Sequence, residues 1–211
     1  PCGLRFCQER MDECRLEDIL KEMETIPERH PLAPFTPEGA KILMLGSFPP
    51  KKERWSMEFF YPNWINDMWR IMGFIFFDDK HHFELKDKKQ FDKDKIVDFC
   101  KMKGIALYDT ASEVIRLKDN ASDKFLEVVK QTDVKALLRN IPQCENIITT
   151  GQKATDIIVD IFRCEEPKVG EKSEIIFEGR RISFWRMPSS SRAYPMSLEN
   201  KAEFYKKIFF N

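Results

Sequence analysis

The residues able to do chemistry fall in four short stretches: "GSFPP" at Gly46–Pro50, "YDTAS" at Tyr108–Ser112, "TTGQK" at Thr149–Lys153 and "MPSSSRAYP" at Met187–Pro195. They supply Ser47, Asp109, Thr110, Ser189, Ser190, Ser191 and Arg192, and a neighbouring segment adds Asn63, Asn66 and Asp67. None of the four carries a histidine, a cysteine or a metal-ligand cluster. "GSFPP" lacks the Gly-Lys-Ser/Thr ending of a phosphate loop, and no dinucleotide fingerprint appears. Phe59, Phe60 and Tyr61 lie between the first loop and the segment carrying Asn66. This set suits the holding of a flat heterocycle. Aromatics stack on its face, while amides, carboxylates and backbone N–H groups read its edge. Loop amides and a helix N-terminus favour a phosphate or an anionic leaving group. Enzymes that act on a base in DNA flip it into such a pocket.

The elements that must position these loops follow from hydrophobic pattern. "AKILMLGSF" is a continuous apolar run ending in Gly-Ser, as in a buried parallel strand; "GIALYDTA" and "NIITTGQ" repeat the theme. "SEIIFEGRRISFW" reads as a hairpin turning at Glu178-Gly179, its second arm running into the serine loop. Between them, Pro62 and Asn63 open a helix with Ile65, Met68, Trp69, Met72 and Phe76 inward. Ser122 and Asp133 are expected to cap two further helices. Ala154, Ile157, Ile158, Ile161 and Phe162 line another helix, and Ser197 caps the last. Strands alternating with helices predict a three-layer α/β/α fold with a mainly parallel central sheet of about four strands. Ligands bind outside the carboxyl ends of such strands, so all four loops would share one edge. Residues 9–26 read as an amphipathic helix, "HPLAPFTPEG" as an extended linker. The expected organisation is therefore an N-terminal helical extension, 1–30, packed on a single α/β domain, 31–211.

The 211 residues carry 35 basic and 35 acidic side chains, so net charge gives no nucleic-acid signature. Any such binding needs a local patch, for which Lys51, Lys52, Arg54 and Arg192 are candidates. The charged stretch "FDDKHHFELKDKKQFDKDK" reads as a solvated face rather than a metal site for His81 and His82. No run reaches the length of a membrane span and no signal peptide is visible. The six cysteines form no C-x-x-C pair and are expected to be reduced thiols. A cytoplasmic monomer with no membrane partner, metal or cofactor is the expectation.

Five segments appear in order: "ILMLGSFP", "FYPNWINDMWRIMG", "GIALYDTASEVIRLKDNASD", "NIITTGQKA" and "MPSSSRAYP". Together, from about Lys41 to Pro195, they resemble the uracil-DNA glycosylase superfamily. Within it they are most similar to the branch described as hypoxanthine-DNA glycosylases, related to the mismatch-specific uracil glycosylases. The resemblance implies a base-excision repair enzyme hydrolysing the N-glycosidic bond of a flipped-out uracil or hypoxanthine, with damaged DNA as partner. Phe48 stands where many branches place a water-activating Asp or Asn. The hypoxanthine branch uses instead an Asn opening the next helix, and Asn66 falls there. The catalytic candidates are thus Asn66 and Ser47. Phe48, Phe60 or Tyr61, and Asp109, where several branches keep a base-reading Asn, become base contacts. "MPSSSRAYP" resembles the loop that presses into the minor groove, without the His that many branches keep there. It makes Ser189, Ser190, Ser191 and Arg192, with Lys51, the DNA contacts. No lysine stands out as a Schiff-base nucleophile, which implies a monofunctional enzyme.

Each residue also has a plainer reading. Asn66 could satisfy backbone groups in the first helical turn, the aromatics could be core, and Asp109 could brace a loop. The serines could form a turn, and the basic residues surface ion pairs. Two other functions compete: a non-catalytic damage-sensing module on the same scaffold, and a hydrolase of free nucleosides.

Overall fold

The computed structural model describes residues 27–117 and 125–210. The expected helix over 9–26 and the expected cap at Ser122 lie outside them. Strand β1 is Glu28–Arg29, β2 Ile42–Gly46, β3 Ile105–Asp109, β4 Ala111–Arg116, β5 Leu126–Gln131, β6 Asn146–Thr149, β7 Glu171–Phe177 and β8 Arg180–Arg186. The central sheet has five strands in the order β3-β2-β6-β8-β7. The first four run parallel, and β7 pairs antiparallel with β8 at the edge. The expected parallel strands are thus present, with β7 added by its hairpin. That hairpin turns at Glu178 (φ 49°) and Gly179 (φ 78°), the double left-handed geometry of a two-residue loop.

The helices are α1 (Met68–Phe77), α2 (Lys93–Lys103), α3 (Val134–Asn140), α4 (Gln152–Phe162) and α5 (Leu198–Phe210). Every residue of β2 is buried, because both faces of the sheet are covered. Its side chains alternate between two cores. Ile42 and Met44 pack with Met68, Trp69 and Met72 of α1, Phe99 of α2 and Tyr205 of α5. Leu43 and Leu45 pack with Leu137 and Leu138 of α3 and Ile158 of α4. Three α/β/α layers result. Asp133 accepts from the Ala136 N–H at 2.9 Å, and Ser197 Oγ from the Asn200 N–H at 3.2 Å, so both expected caps form.

Three expectations are corrected. The helix predicted from Pro62 begins at Met68. Short polar side chains compete with the helical backbone there. Asn63 Oδ1 accepts from the Ile65 N–H at 3.1 Å, and Asn66 Oδ1 from the Met68 N–H at 2.9 Å. Ile65 consequently leaves the core and is 53% exposed. The helix expected between Ser122 and Asp133 is replaced by β5, where Leu126 and Val128 alternate inward beside Phe48. β5 joins β4 and β1 in a small antiparallel sheet of order β1-β4-β5. Finally, the Pro-rich segment is no free linker. Phe35 bridges Leu107, its N–H donating at 3.0 Å and its carbonyl accepting at 2.8 Å, and so covers the outer edge of β3.

Candidate active site

The carboxyl ends of β2, β3, β6 and β8 open into one cleft of about 690 Å³. The ladder holds their tips together. Thr110 N–H donates to the Gly46 carbonyl at 2.9 Å, Thr150 N–H to Leu45 at 3.2 Å, and Met187 N–H to Thr149 at 2.9 Å. Ser47, Phe48, Phe60, Tyr61, Asn66, Asp109, Ser189, Ser190 and Ser191 all line this cleft. A second hollow, about 720 Å³, is lined by Trp64, His81, His82 and charged side chains of the 79–95 stretch. No strand of the central sheet contributes to it, and His81 and His82 are occupied there by Glu84 and by stacking on Phe77.

Asn66 and the serine loop meet directly. Asn66 bridges Ser191, and the Asp67 N–H donates to the Ser190 carbonyl at 2.9 Å. Asn66 Oδ1 braces Met68, as its plainer reading requires, while its Nδ2 makes no hydrogen bond to the described residues. Ser189 Oγ accepts from the Ser191 N–H at 3.2 Å, and Ser191 Oγ from the Ala193 N–H at 3.2 Å. Two of the three hydroxyls therefore stiffen the loop itself.

Beneath the loop lies a charge cluster. Asp67 faces Arg192 Nε at 2.8 Å, Arg70 Nη1 at 3.6 Å and Lys201 Nζ at 4.0 Å. Lys201 is 1% exposed and donates to the Ser191 carbonyl at 2.8 Å. Burial lowers its pKa, and the Asp67 charge partly restores it. Tyr205, wholly buried on α5, donates to the Pro188 carbonyl at 3.0 Å, and burial holds its phenol protonated. Arg192 is committed to Asp67 and lies off the cleft wall, its side chain 46% exposed. Lys51 is exposed beside the short 3-10 turn Lys52–Arg54, also off the wall.

The aromatic side of the cleft is Phe48, Phe60 and Tyr61. Tyr61 holds a left-handed backbone (φ 51°), unusual for an aromatic residue, and its hydroxyl lies 3.1 Å from Thr150 Oγ1. Asp109 sits at the floor, beside Gly46. A Cβ on Gly46 would fall 2.3 Å from Asp109 Oδ1, so only glycine admits the carboxylate in this position.

Sequence reasoning missed two residues, one behind the cleft and one on its wall. His30, 79 residues before its partner, places Nε2 2.8 Å from Asp109 Oδ2. The loops indeed carry no histidine, but one arrives from outside them. A lone His before a proline has no spacing partner that could have flagged it. Arg116, on β4, lines the cleft itself, its guanidinium paired with Glu28 at 2.9 Å and donating to the Pro49 carbonyl at 2.6 Å. It lies on the face of the Phe48 ring, 5.5 Å from its centre.

No family model and no curated protein matches the chain. No helix among the described residues is long and apolar enough to cross a membrane. The fold is similar to the solution NMR structure of a "putative Uracil DNA glycosylase" from Methanosarcina acetivorans, with TM-score 0.60 and 18% identity over 87% of this chain and 97% of that one. At that identity the likeness is one of architecture, and the chain has a uracil-DNA glycosylase-like α/β fold.

Proposed function

We propose that this chain is a monofunctional DNA glycosylase that hydrolyses the N-glycosidic bond of a flipped-out deaminated base, uracil or hypoxanthine. The observation that carries this reading is convergence. An amide (Asn66), a carboxylate (Asp109), an aromatic wall and a stiff serine loop, far apart in sequence, line one cleft. Its volume suits a small ligand, and its walls combine aromatic rings and prolines with converging polar side chains. A base entering it would stack on Phe48, Phe60 or Tyr61 and present its ring N–H to Asp109. Bond cleavage passes through an oxocarbenium-like sugar while negative charge builds on the departing base. Loop amides stabilise that charge without a formal acid. Asn66 is too weak a base to deprotonate water, but it can orient one, and attack on the cation needs little more. Ser47 contributes at the same strand end. The serine loop would press on the DNA backbone, with Lys51 and Arg192 on flanking phosphates. No lysine lines the cleft among the described residues, which fits hydrolysis without strand cleavage.

The test is base release from labelled duplexes carrying uracil, hypoxanthine or xanthine, read after alkali. Asn66→Ala is expected to lower release by about a hundredfold. Asn66→Ser retains an acceptor for the Met68 N–H and separates bracing from chemistry, so it should be nearly as impaired. Full activity in Asn66→Ser would reject the assigned role. A second reading, a non-catalytic damage sensor, is favoured by the engagement of Asn66 Oδ1 with Met68. Tight binding with no release from any of the three duplexes would establish it instead.

A further inference from the structure

The Asp109 carboxylate is held asymmetrically. Its Oδ2 takes the His30 Nε2 hydrogen bond, while Oδ1 makes no hydrogen bond to the described residues and lies over Gly46 at the cleft floor. The His30 side chain is 2% exposed and fixed from its other end too. Nδ1 faces the Leu32 main chain, 3.1 Å from its nitrogen and 2.9 Å from its oxygen. The imidazole packs against Tyr108 (4.6 Å between ring centres), Phe48 (5.3 Å) and Phe60 (6.3 Å). With Nδ1 accepting from the Leu32 N–H, Nε2 carries the proton and donates to Oδ2, which leaves Oδ1 as an acceptor toward the cleft. The other charged or titratable groups nearby are committed. Tyr108, beside Asp109 on β3, stays a phenol, its pKa raised by burial and by the Asp109 charge. Tyr61 meets Thr150, and Arg116 of β4 is paired with Glu28 of β1.

We propose that His30 is a positioning residue for base selection: it orients Asp109 and keeps Oδ1 an acceptor, so that the cleft takes bases with a ring N–H beside a carbonyl over amino bases. Uracil, hypoxanthine and xanthine present such an N–H. Cytosine and adenine present a bare ring nitrogen at that edge, which a carboxylate repels. The inference rests on the reading above only in that a nucleobase occupies the cleft.

The experiment uses the full chain and its His30→Phe and His30→Gln variants, each checked for folding by circular dichroism and Tm. Release and equilibrium binding are measured on hypoxanthine and adenine duplexes. His30→Phe removes the donor that fixes the carboxylate and should lose about tenfold in hypoxanthine release. Its binding preference for hypoxanthine over adenine should shrink in parallel. His30→Gln, whose amide can still donate, should stay within about threefold of wild type. A folded His30→Phe that matches wild type in release, or is impaired in release with its preference intact, overturns the proposal. Should His30→Phe not fold, Asp109→Asn serves. It turns an amide N–H toward the base and should abolish the preference, and retention of the preference overturns the proposal. A wild type that releases no base yet shows the His30-dependent preference rejects the glycosylase and upholds the positioning role. No release and no preference rejects both.

Discussion

Gly46 and Asp109 share one small volume, and that sharing sets what either position tolerates. A methyl at Gly46 would meet Asp109 Oδ1 at 2.3 Å, and the carboxylate cannot swing away without breaking its 2.8 Å bond from His30. Gly46→Ala should therefore cut base release by at least about tenfold. It should move the Tm by no more than about 3 °C, because one buried hydrogen bond is worth only about 1 kcal/mol. An unchanged kcat/KM would show that Asp109 has no fixed task. At this scale the sequence was a partial guide. Asn66, Asp109 and the serines could be singled out because each follows or opens a regular element. His30 could not, because its meaning lies in a partner reached only after the small sheet folds back. Arg192 was expected on DNA, and the nearby Asp67 captures much of its charge.

Among elements, the join between α1, the serine loop and α5 decides whether the cleft keeps its shape. Asp67 heads α1, Arg192 belongs to the loop and Lys201 to α5, so one carboxylate ties three segments. Asp67→Asn leaves Lys201 buried with only a carbonyl partner, whereas Arg70 retains Glu84. The expected cost is about 3 kcal/mol, because an uncompensated buried charge is expensive. Adding Lys201→Met should recover much of that loss, and a double-mutant cycle by chemical denaturation measures the coupling. Additive losses would mean that the two residues act separately. Strands and the hairpin were legible because apolar runs and a Glu-Gly pair between alternating arms are local signals. The start of α1 was not, because Asn63 and Asn66 divert the backbone before Asp67 by hydrogen bonds that no periodicity records. β5 was missed because Leu126 and Val128 give only a single alternation.

For the molecule as a whole, stability should fall on the alkaline side. Cys144 is buried next to the Asn146 carbonyl, and burial pushes its thiol from an ordinary 9.0 to about 11. The folded state then holds a proton that the unfolded chain gives up. Its contribution is complete below about pH 9 and is lost as pH rises through about 11, a difference on the order of 2 kcal/mol. Unfolding curves between pH 8 and pH 11 should show a shallower alkaline decline in Cys144→Ala than in wild type, and parallel declines would discount this thiol. Both borders of the central sheet are also defended. Phe35 occupies the open side of β3, and β7 presents Glu171, Lys172 and Glu174 outward while running against its neighbour. A stray strand from another chain therefore meets Phe35 on one side and, on the other, a β7 ladder that pairs with no described strand beyond β8 but is flanked by charge, so charge rather than pairing discourages growth into fibres there.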